Sequence, residues 1–287
     1  MARLELSGVT VAYDGFLLSD LSFTLDGGEI VALIGKNGAG KTTTIDSIMG
    51  MTRLRSGGIR YDGQWVTPTN IHRFKQKIGY VGAAQDYYPD IRVGTFLKVV
   101  SGFYDQWDNS EASRYLSRFN IDPDKKLSLL STGTRVKLSL AIALSHAAEV
   151  FLLDEPTAGL DPIVREQVLE ILERLARERN AGILFSSHIT QDVEKIASRI
   201  LFLVNGVLKL DTNVRALDES FVKLCLGDSL PLSKEIRGKG VVLNDRFVIL
   251  RKDDATPEML AAHESAPLRV EDVLIYLEGG VHDVSAD

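Results

Sequence analysis

The fold is decided by one stretch of sequence, Gly35-Lys36-Asn37-Gly38-Ala39-Gly40-Lys41-Thr42. It follows directly on the apolar run Ile30-Val31-Ala32-Leu33-Ile34, and an alternating apolar pattern comes after it. Glycines at these spacings let a loop turn its backbone N–H groups inward around a phosphate at the start of a helix. The pattern therefore predicts a buried strand, a phosphate-binding loop and a helix, in that order.

Two side chains of this loop are predicted to act on a bound nucleoside triphosphate. We expect Lys41 to bridge the β- and γ-phosphates and Thr42 to hold Mg²⁺. The alternative, a glycine-rich turn before an ordinary helix, is disfavoured because the complete G-x-x-x-x-G-K-[ST] pattern lies between a strand and a helix. The predicted ligand-binding residues of the loop are Gly35, Asn37, Gly38, Ala39, Gly40, Lys41, Thr42 and Thr43.

The composition of the chain excludes several classes of protein. Its 287 residues are 45% hydrophobic and 25% charged, as in soluble globular proteins, and can bury one large core and a smaller one. A net charge of −6 disfavours broad nucleic-acid binding, which needs a basic face. The single cysteine, Cys225, excludes an internal disulfide and a four-thiolate zinc site. No apolar stretch approaches the roughly 20 residues of a membrane-spanning helix, so a role at a membrane would require another chain.

The order of apolar runs predicts an α/β fold with a mostly parallel sheet. Alternating apolar residues before Ile30 predict an N-terminal antiparallel β subdomain. Fully apolar runs at 150–153 and 183–185, separated by an amphipathic helix, predict buried parallel strands. Asn205-Gly206, between two further apolar runs, predicts a tight hairpin.

Two regions depart from this alternation. Residues from about 86 to 145 take on helical spacing, which predicts a helical insert with an apolar helix at 138–148. After Thr212, short apolar runs and helices near Pro257 and Val270 predict a small α+β extension. We therefore divide the chain into residues 1–212 and 213–287. One face of the insert is expected to carry Phe96, Leu97, Val100, Phe103 and Tyr104.

Asp154 and Glu155 follow the apolar run at 150–153, at the carboxyl edge where open α/β sheets bind ligands. We expect Asp154 to hold the Mg²⁺ shell and Glu155 to orient or deprotonate the attacking water. The alternative is a solvated acidic turn before Pro156. The phosphate-binding loop upstream favours the chemical interpretation.

Leu130-Ser131-Thr132-Gly133-Thr134 precedes the apolar helix of the insert. Ser131 has the residue type of a helix N-cap. Capping and phosphate binding are compatible, because both use a hydroxyl and free N–H groups at the positive end of a helix. Both roles therefore stay open for Ser131.

Taken together, these segments resemble the nucleotide-binding subunits of ATP-binding cassette (ABC) transporters, over roughly residues 3 to 210. Residues 35–43 are similar to the Walker A loop, 130–134 to the family signature, and 150–155 to the Walker B strand. The resemblance implies a P-loop NTPase core that binds ATP and Mg²⁺ and hydrolyses ATP. Further matches in the family's order are Tyr13, Gln85, Ala158 to Asp161, and His188.

The resemblance also assigns roles to these residues. It implies that Tyr13 stacks on adenine, that Gln85 of the Q-loop contacts the nucleotide and its metal, and that His188 is the switch histidine. It places Ser131, Gly133 and Asp161 at the nucleotide as well. Asp161 before Pro162 also has the pattern of an N-cap followed by proline at the first helical position. The implied catalytic set is Lys41, Glu155 and His188, and the implied metal set is Thr42, Gln85 and Asp154.

The signature differs from the common Leu-Ser-Gly-Gly-Gln, because Thr132 replaces its first glycine and Thr134 replaces its glutamine. Ser131 and Gly133 are retained, so contact with the γ-phosphate remains possible. The variant resembles that of small single-cassette bacterial exporters. In the family, the signature of one subunit closes on the Walker A loop of the other, which implies a dimer with a second copy or a paralogous ATPase subunit.

The resulting expectation is an ATPase subunit that powers a membrane transporter, of the exporter kind, through separate transmembrane permease subunits. It would be cytoplasmic and peripheral on the inner face of the cell membrane. A cassette ATPase acting on DNA or ribosomes is disfavoured, since the chain lacks a long coiled coil, many cysteines and a second cassette. A module that binds nucleotide without turnover is disfavoured by Glu155. Aromatic residues near the Q-loop are candidates for contact with the permease, namely Tyr87, Tyr88, Phe103, Tyr104 and Trp107.

Overall fold

The fold was analysed in a computed structural model, which describes residues 4–82, 90–226, 239–244 and 246–279. Within these ranges, ten strands form one mixed sheet in the order β5-β4-β1-β2-β10-β9-β3-β8-β7-β6. These strands are β1 Leu4–Tyr13, β2 Phe16–Leu25, β3 Ile30–Ile34, β4 Ser56–Tyr61, β5 Gln64–Trp65, β6 Ile78–Val81, β7 Val150–Asp154, β8 Gly182–Ser187, β9 Arg199–Val204 and β10 Val207–Asn213. The helices that accompany them are α1 Lys41–Ile48, α2 Ile71–Lys75, α3 Val93–Ser101, α4 Asn109–Arg118, α5 Thr132–Ala143, α6 Pro162–Arg179 and α7 Thr190–Ile196.

The central strands β6, β7, β8, β3 and β9 run parallel to one another, and β9 pairs antiparallel with β10 on its other side. Every residue of β3, β7 and β8 is buried, because helices cover both faces of this part of the sheet. The carboxyl ends of β3, β7 and β8 lie side by side, with Ile34 paired to Ser187 and Asp154 paired to Ser186. The polar residues that follow these strands therefore lie together at the carboxyl edge, as expected of an open α/β sheet.

The antiparallel strands β1, β2, β4 and β5 form the other end of the same sheet. They join the parallel strands through one parallel bridge between Val207 of β10 and Ser19 of β2. The β9–β10 hairpin turns at Asn205 and Gly206, whose φ angles are 48° and 76°. This left-handed pair confirms the predicted two-residue turn.

The helices of the insert differ in two respects from the expectation. α5 occupies Thr132–Ala143 rather than 138–148, because Ser131 caps it and Ser145 Oγ donates to Ala141 O at 2.5 Å as the chain leaves the helix. α3 ends at Ser101, so Phe103 does not share its buried face and is 70% exposed. Tyr104 instead stacks on His146, with 4.0 Å between ring centroids.

The C-terminal residues form a second sheet in the order β12-β13-β11-β14, within the described residues. One face of this sheet does not stand apart, because Phe221 and Ile249, together with Val270 and Val273 of the last helix, belong to the same buried cluster as the helical insert and the parallel strands. The other face packs in a small cluster of its own around Leu224 and Val248. The predicted helices near Pro257 and Val270 are both present. The elements are α8 Leu217–Ser220, β11 Phe221–Cys225, β12 Val241–Leu243, β13 Phe247–Arg251, α9 Pro257–Ala262, β14 Ser265–Ala266 and α10 Val270–Leu277.

No helix in the described ranges combines the length and the apolar character needed to cross a bilayer.

Candidate functional site

The loop between β3 and α1 is shaped by two glycines that no other residue could replace without movement. A Cβ atom on Gly35 would lie 2.3 Å from the carbonyl oxygen of Leu203, and one on Gly40 would lie 2.9 Å from Phe16 Cζ. Gly40 also has a φ of +108°, a conformation that side chains with a Cβ rarely adopt. The loop is therefore packed tightly against β9 and β2 at the start of α1.

Lys41 begins α1, and its ammonium group turns back over the loop. Nζ donates to the carbonyl oxygens of Gly35 at 2.7 Å and Lys36 at 3.3 Å, and lies 3.9 Å from Glu155 Oε1. Lys41 is only 6% exposed. Since an ammonium group has three donors, one remains for a ligand after these two carbonyl contacts.

Thr42 and Asp154 bring the loop and β7 together. Thr42 Oγ1 donates to Asp154 Oδ2 at 2.7 Å, and Ser186 of β8 donates to Asp154 Oδ1. Asp154 is 3% exposed, so hydrogen bonds to both oxygens offset the cost of burying its charge. The carboxylate is held at the end of the sheet beside the start of α1.

Glu155 and His188 form a contact on the exposed side of the same edge. His188 Nδ1 lies 2.7 Å from Glu155 Oε2, and the His188 backbone N–H donates to the same oxygen at 3.4 Å. Glu155 has a φ of +52°, which is unusual for a residue with a side chain and is found at strained functional positions. This turn directs its carboxylate toward both His188 and Lys41.

A cleft of about 450 Å³ opens over these groups. Tyr13 and Phe16, at the end of β1 and the start of β2, form its rim, and Tyr13 is 51% exposed. The volume is within the range of small-molecule sites. Its lining residues are Tyr13, Phe16, Asn37, Gly38, Gly40, Lys41, Thr42, Thr43, Asp154 and Glu155.

Ser131 and Gly133 are not part of this lining. Ser131 Oγ accepts from the Thr134 N–H at 3.3 Å and lies 2.8 Å from Thr134 Oγ1, so Ser131 is the N-cap of α5. Gly133 packs beside the segment after β7, since a Cβ there would lie 3.2 Å from Gly159 O. Asp161 caps α6 by accepting from the Val164 N–H at 3.0 Å.

Comparison with known proteins identifies the family. A sequence profile described as "ABC transporter" matches residues 18–158. The ABC transporter ATP-binding protein YtrB of Bacillus subtilis (strain 168) is 30% identical over 292 residues, which cover 96% of this chain and 98% of that protein. This chain belongs to the ABC transporter family. The resemblance seen in the motifs is thereby confirmed.

Other relatives agree with this membership. The Nod factor export ATP-binding protein I of Burkholderia lata is 32% identical over 214 residues, covering 72% of this chain and 69% of that protein. A solved structure of an ATP-binding subunit of an ABC transporter superposes with a TM-score of 0.67 at 28% identity, covering 75% of this chain and 90% of that one. The α/β fold is confirmed, and as an ABC cassette the chain binds ATP and hydrolyses it.

The donors in the cleft of this ABC cassette fit Mg²⁺. The Thr42 hydroxyl and the Asp154 carboxylate supply hard oxygen ligands, which the ion prefers. Among the described residues, no group of three or more His, Cys, Asp or Glu side chains could hold a metal by itself. Mg²⁺ at nucleotide sites usually keeps waters and phosphate oxygens as its remaining ligands, so a site with few protein donors is what this ion requires.

A second carboxylate, Asp46 of α1, lies near Asp154. Burial, and then the charge of Asp154, raise the pKa of Asp46. Tyr80 donates to Asp46 Oδ1 at 3.4 Å, and burial together with Asp46 raises the pKa of Tyr80 to about 12. Two carboxylates that repel each other in this way, one of them bonded to Thr42, favour a divalent cation beside Thr42 and Asp154.

Sequence reasoning missed the polar network beneath the segment after β7. Asp192 of α7 is 2% exposed and accepts from Thr157 Oγ1 at 2.7 Å and from Arg165 Nε at 2.6 Å. It ties that segment and α6 to the helix that follows His188. The positions of Thr157, Arg165 and Asp192 in the sequence form no motif, because only the folded chain brings the three side chains together. Gln85, Tyr87 and Tyr88 lie outside the described residues, and their roles stay predictions.

Proposed function

We propose that this chain is the ATPase subunit of a membrane exporter, and that two ATPase subunits close around ATP. The observation that carries the proposal is the separation of Ser131 and Gly133 from the residues that line the cleft. If the family's signature is to reach a γ-phosphate on Lys41, a second subunit has to supply it. A two-fold dimer of this chain, or a pair with a paralogous ATPase subunit, provides such an exchange of surfaces.

In this proposal, the groups in the cleft divide the reaction between them. Lys41 donates to the β- and γ-phosphates, Tyr13 stacks on the adenine, and the backbone N–H groups of the phosphate-binding loop surround the anion. Glu155 positions and deprotonates the attacking water, and His188, 2.7 Å away, orients the Glu155 carboxylate. Mg²⁺ bound by Thr42 and Asp154 would neutralise charge on the phosphates. Gln85 and Asp161 complete the proposed set.

The export direction is supported by two resemblances. The relative from Burkholderia lata carries the name of a Nod factor export protein, and the Leu-Ser-Thr-Gly sequence at 130–133 is similar to that of single-cassette exporters. The exported substrate would be selected by the transmembrane subunits, which this chain would meet at the inner face of the cell membrane.

The helical insert is the proposed contact with those transmembrane subunits. Phe103 is 70% exposed, and Val99 of α3 is 55% exposed. A groove of about 740 Å³ runs between α3 and α4, with Leu97, Trp107 and Leu116 among its lining residues. Exposed apolar side chains beside a groove of this size are what a short partner helix needs.

The substitution Glu155→Gln tests the proposal. We expect it to leave ATP binding intact and to slow hydrolysis by about 100- to 10,000-fold, the range for loss of a general base. Because ATP would then persist, the variant should sediment as a dimer in ATP and Mg²⁺ and as a monomer in ADP. Glu170→Gln, an exposed carboxylate of α6, is the matched control. Hydrolysis at the wild-type rate would remove Glu155 from this role, and a monomer in ATP would contradict the dimer.

A further inference from the structure

Ser186 occupies an unusual position at the end of β8. It is 0% exposed and is paired in register with Asp154 of the neighbouring parallel strand β7. Its Oγ donates to Asp154 Oδ1 and accepts the backbone N–H of Glu155 at 2.9 Å. One hydroxyl group, with its single donor in use, therefore connects the two acidic residues of the site.

The first of these bonds fixes the Asp154 carboxylate. Thr42 holds Oδ2 at 2.7 Å and Ser186 holds Oδ1, so the carboxylate cannot rotate about its terminal bond without losing a partner. Because the group is 3% exposed, water does not readily replace a lost hydrogen bond. Ser186 thus sets the plane in which Asp154 presents its oxygens beside Thr42.

The second bond acts on the backbone of Glu155. With a φ of +52°, this residue holds a conformation that is unfavourable for side chains with a Cβ and that persists only where the surroundings enforce it. The hydrogen bond from its N–H to Ser186 anchors the peptide at the start of that turn. The turn in turn places the carboxylate 2.7 Å from His188 and 3.9 Å from Lys41.

The adjacent serine does not share this arrangement. Ser187 is also buried, at 1% exposed, but its hydroxyl accepts from the Ile189 N–H at 2.9 Å and so caps the next turn. Alternation along β8 sends the two side chains to opposite faces of the sheet. The bridge between the carboxylates is therefore specific to Ser186.

We propose that Ser186 is a positioning residue for ATP hydrolysis, which aligns Asp154 and Glu155 at the same time through one hydroxyl group. The Glu155 part of this inference rests on the proposed role of Glu155 as the base. The Asp154 part is independent of that role, because it concerns the oxygens offered to Mg²⁺.

The experiment compares Ser186→Ala with the matched pair Ser186→Thr and Ser186→Val, which differ from each other in a hydroxyl against a methyl group. We expect Ser186→Ala and Ser186→Val to lower kcat by about 10- to 100-fold with little change in KM, as small misplacements of catalytic groups do. Ser186→Thr should recover most of the rate. Ser145→Ala is the control for packing. It removes another buried hydroxyl group, which donates to Ala141 O near the C-terminal end of α5.

A second readout does not depend on turnover. Thermal unfolding in ATP, with Mg²⁺ titrated in, reports how well Asp154 presents its oxygens. In Ser186→Ala the midpoint Mg²⁺ concentration for added stabilisation should rise several-fold, whereas stabilisation by ATP in EDTA should match the wild type. If Ser186→Ala does not fold, the Thr and Val pair gives the same comparison.

The outcomes separate this inference from the proposed function. Wild-type kcat and Mg²⁺ midpoint in Ser186→Ala and Ser186→Val would overturn the role of Ser186, as would a Ser186→Thr variant that folds but is as slow as Ser186→Val. Wild-type hydrolysis in Glu155→Gln would instead overturn the base. If both assignments hold, Ser186→Ala should slow ATP hydrolysis much less in the Glu155→Gln variant than it does in the wild-type chain.

Discussion

Lys36 and Glu278 form an ion pair, with 2.5 Å between Lys36 Nζ and Glu278 Oε2. Lys36 lies in the phosphate-binding loop, and Glu278 follows α10 in the C-terminal sheet region. At the other end of α10, the Val270 N–H donates to Glu194 Oε1 of α7 at 2.9 Å. Both ends of α10 are therefore attached to elements next to the candidate ATP site, the loop before α1 and α7.

Glu278→Ala should tighten ATP binding by about twofold. The Lys36 side chain is 70% exposed, so its pair with Glu278 is worth roughly 0.2–1 kcal/mol. We expect the negative charge of a triphosphate bound at the neighbouring loop residues to compete with Glu278 for this ammonium group. Isothermal titration calorimetry would measure the change. Glu149→Ala is the control, because its partner Lys77 is a half-exposed lysine outside the phosphate-binding loop. Unchanged or weaker binding in Glu278→Ala contradicts this competition.

Lys41→Ala should weaken ATP binding by about 10- to 100-fold. Hydrogen bonds to charged groups contribute about 1.5–3 kcal/mol each, and Lys41 is buried at 6% exposure with its donors directed into the loop. Fluorescence titration with a labelled nucleotide would quantify the loss. Lys98→Ala, an exposed lysine of α3, should bind as the wild type. Wild-type affinity in Lys41→Ala would contradict the phosphate-binding assignment.

Ser131→Ala should impair ATP-driven dimerisation more than ATP binding by the monomer. Loss of this N-cap is expected to cost about 1 kcal/mol of stability in any case. Thr256→Ala removes a comparable cap, that of α9, where Oγ1 accepts from the Met259 N–H at 3.3 Å. Sedimentation in the Glu155→Gln background would compare the two variants. If both weaken the dimer equally, Ser131 is a cap and nothing more.

Because the His146 ring is buried, we expect the folded protein to lose stability in mild acid. Burial lowers the pKa of His146, whose ring stacks on Tyr104 and faces the carbonyl oxygens of Ile78 and Ile142. In mild acid the His146 ring therefore binds a proton more readily in the unfolded chain than in the folded one. The contribution of His146 to the free energy of unfolding is fully present above about pH 6.5 and decreases as the pH falls below that value. Urea unfolding at pH 7.5 and 5.5 would measure this fall.

His146→Gln should reduce the difference between the two pH values, whatever its effect at pH 7.5. His72→Gln, at an exposed position of α2, should leave that difference unchanged. An equal acid-induced loss in wild type and His146→Gln would assign the effect to other groups.

Much of the fold could be predicted because its signals are local. The strand, loop and helix at 30–48 follow from apolar residues and glycines that are adjacent in sequence, and the Asn205-Gly206 turn follows from two residues that tolerate a positive φ. Asp161 before Pro162 likewise marks the start of α6. In each case the interactions that decide the conformation lie within a few residues.

The start of α5 was predicted wrongly, because the apolar residues used to predict the helix begin several positions after its first hydrogen-bonded residue. The cap by Ser131 starts the helix at Thr132, before the apolar run, and the polar first turn carries no hydrophobic signal. The Ser186 bridge and the Lys36–Glu278 pair could not be predicted for another reason. Their partners are far apart in sequence, and ordinary serine, lysine and glutamate residues meet only when the sheet order is known.

The shared packing of the C-terminal sheet has a consequence for biosynthesis. Phe221, Ile249, Val270 and Val273 complete the buried cluster that also contains β3, β7 and β8 residues. The cassette therefore cannot complete this core while residues 221–273 are still inside the ribosome. Until they emerge, the apolar surface that they cover has to be shielded from aggregation. Emergence of residues 221–273, and not only of the ATP-binding motifs, is therefore required before this core can reach its native packing.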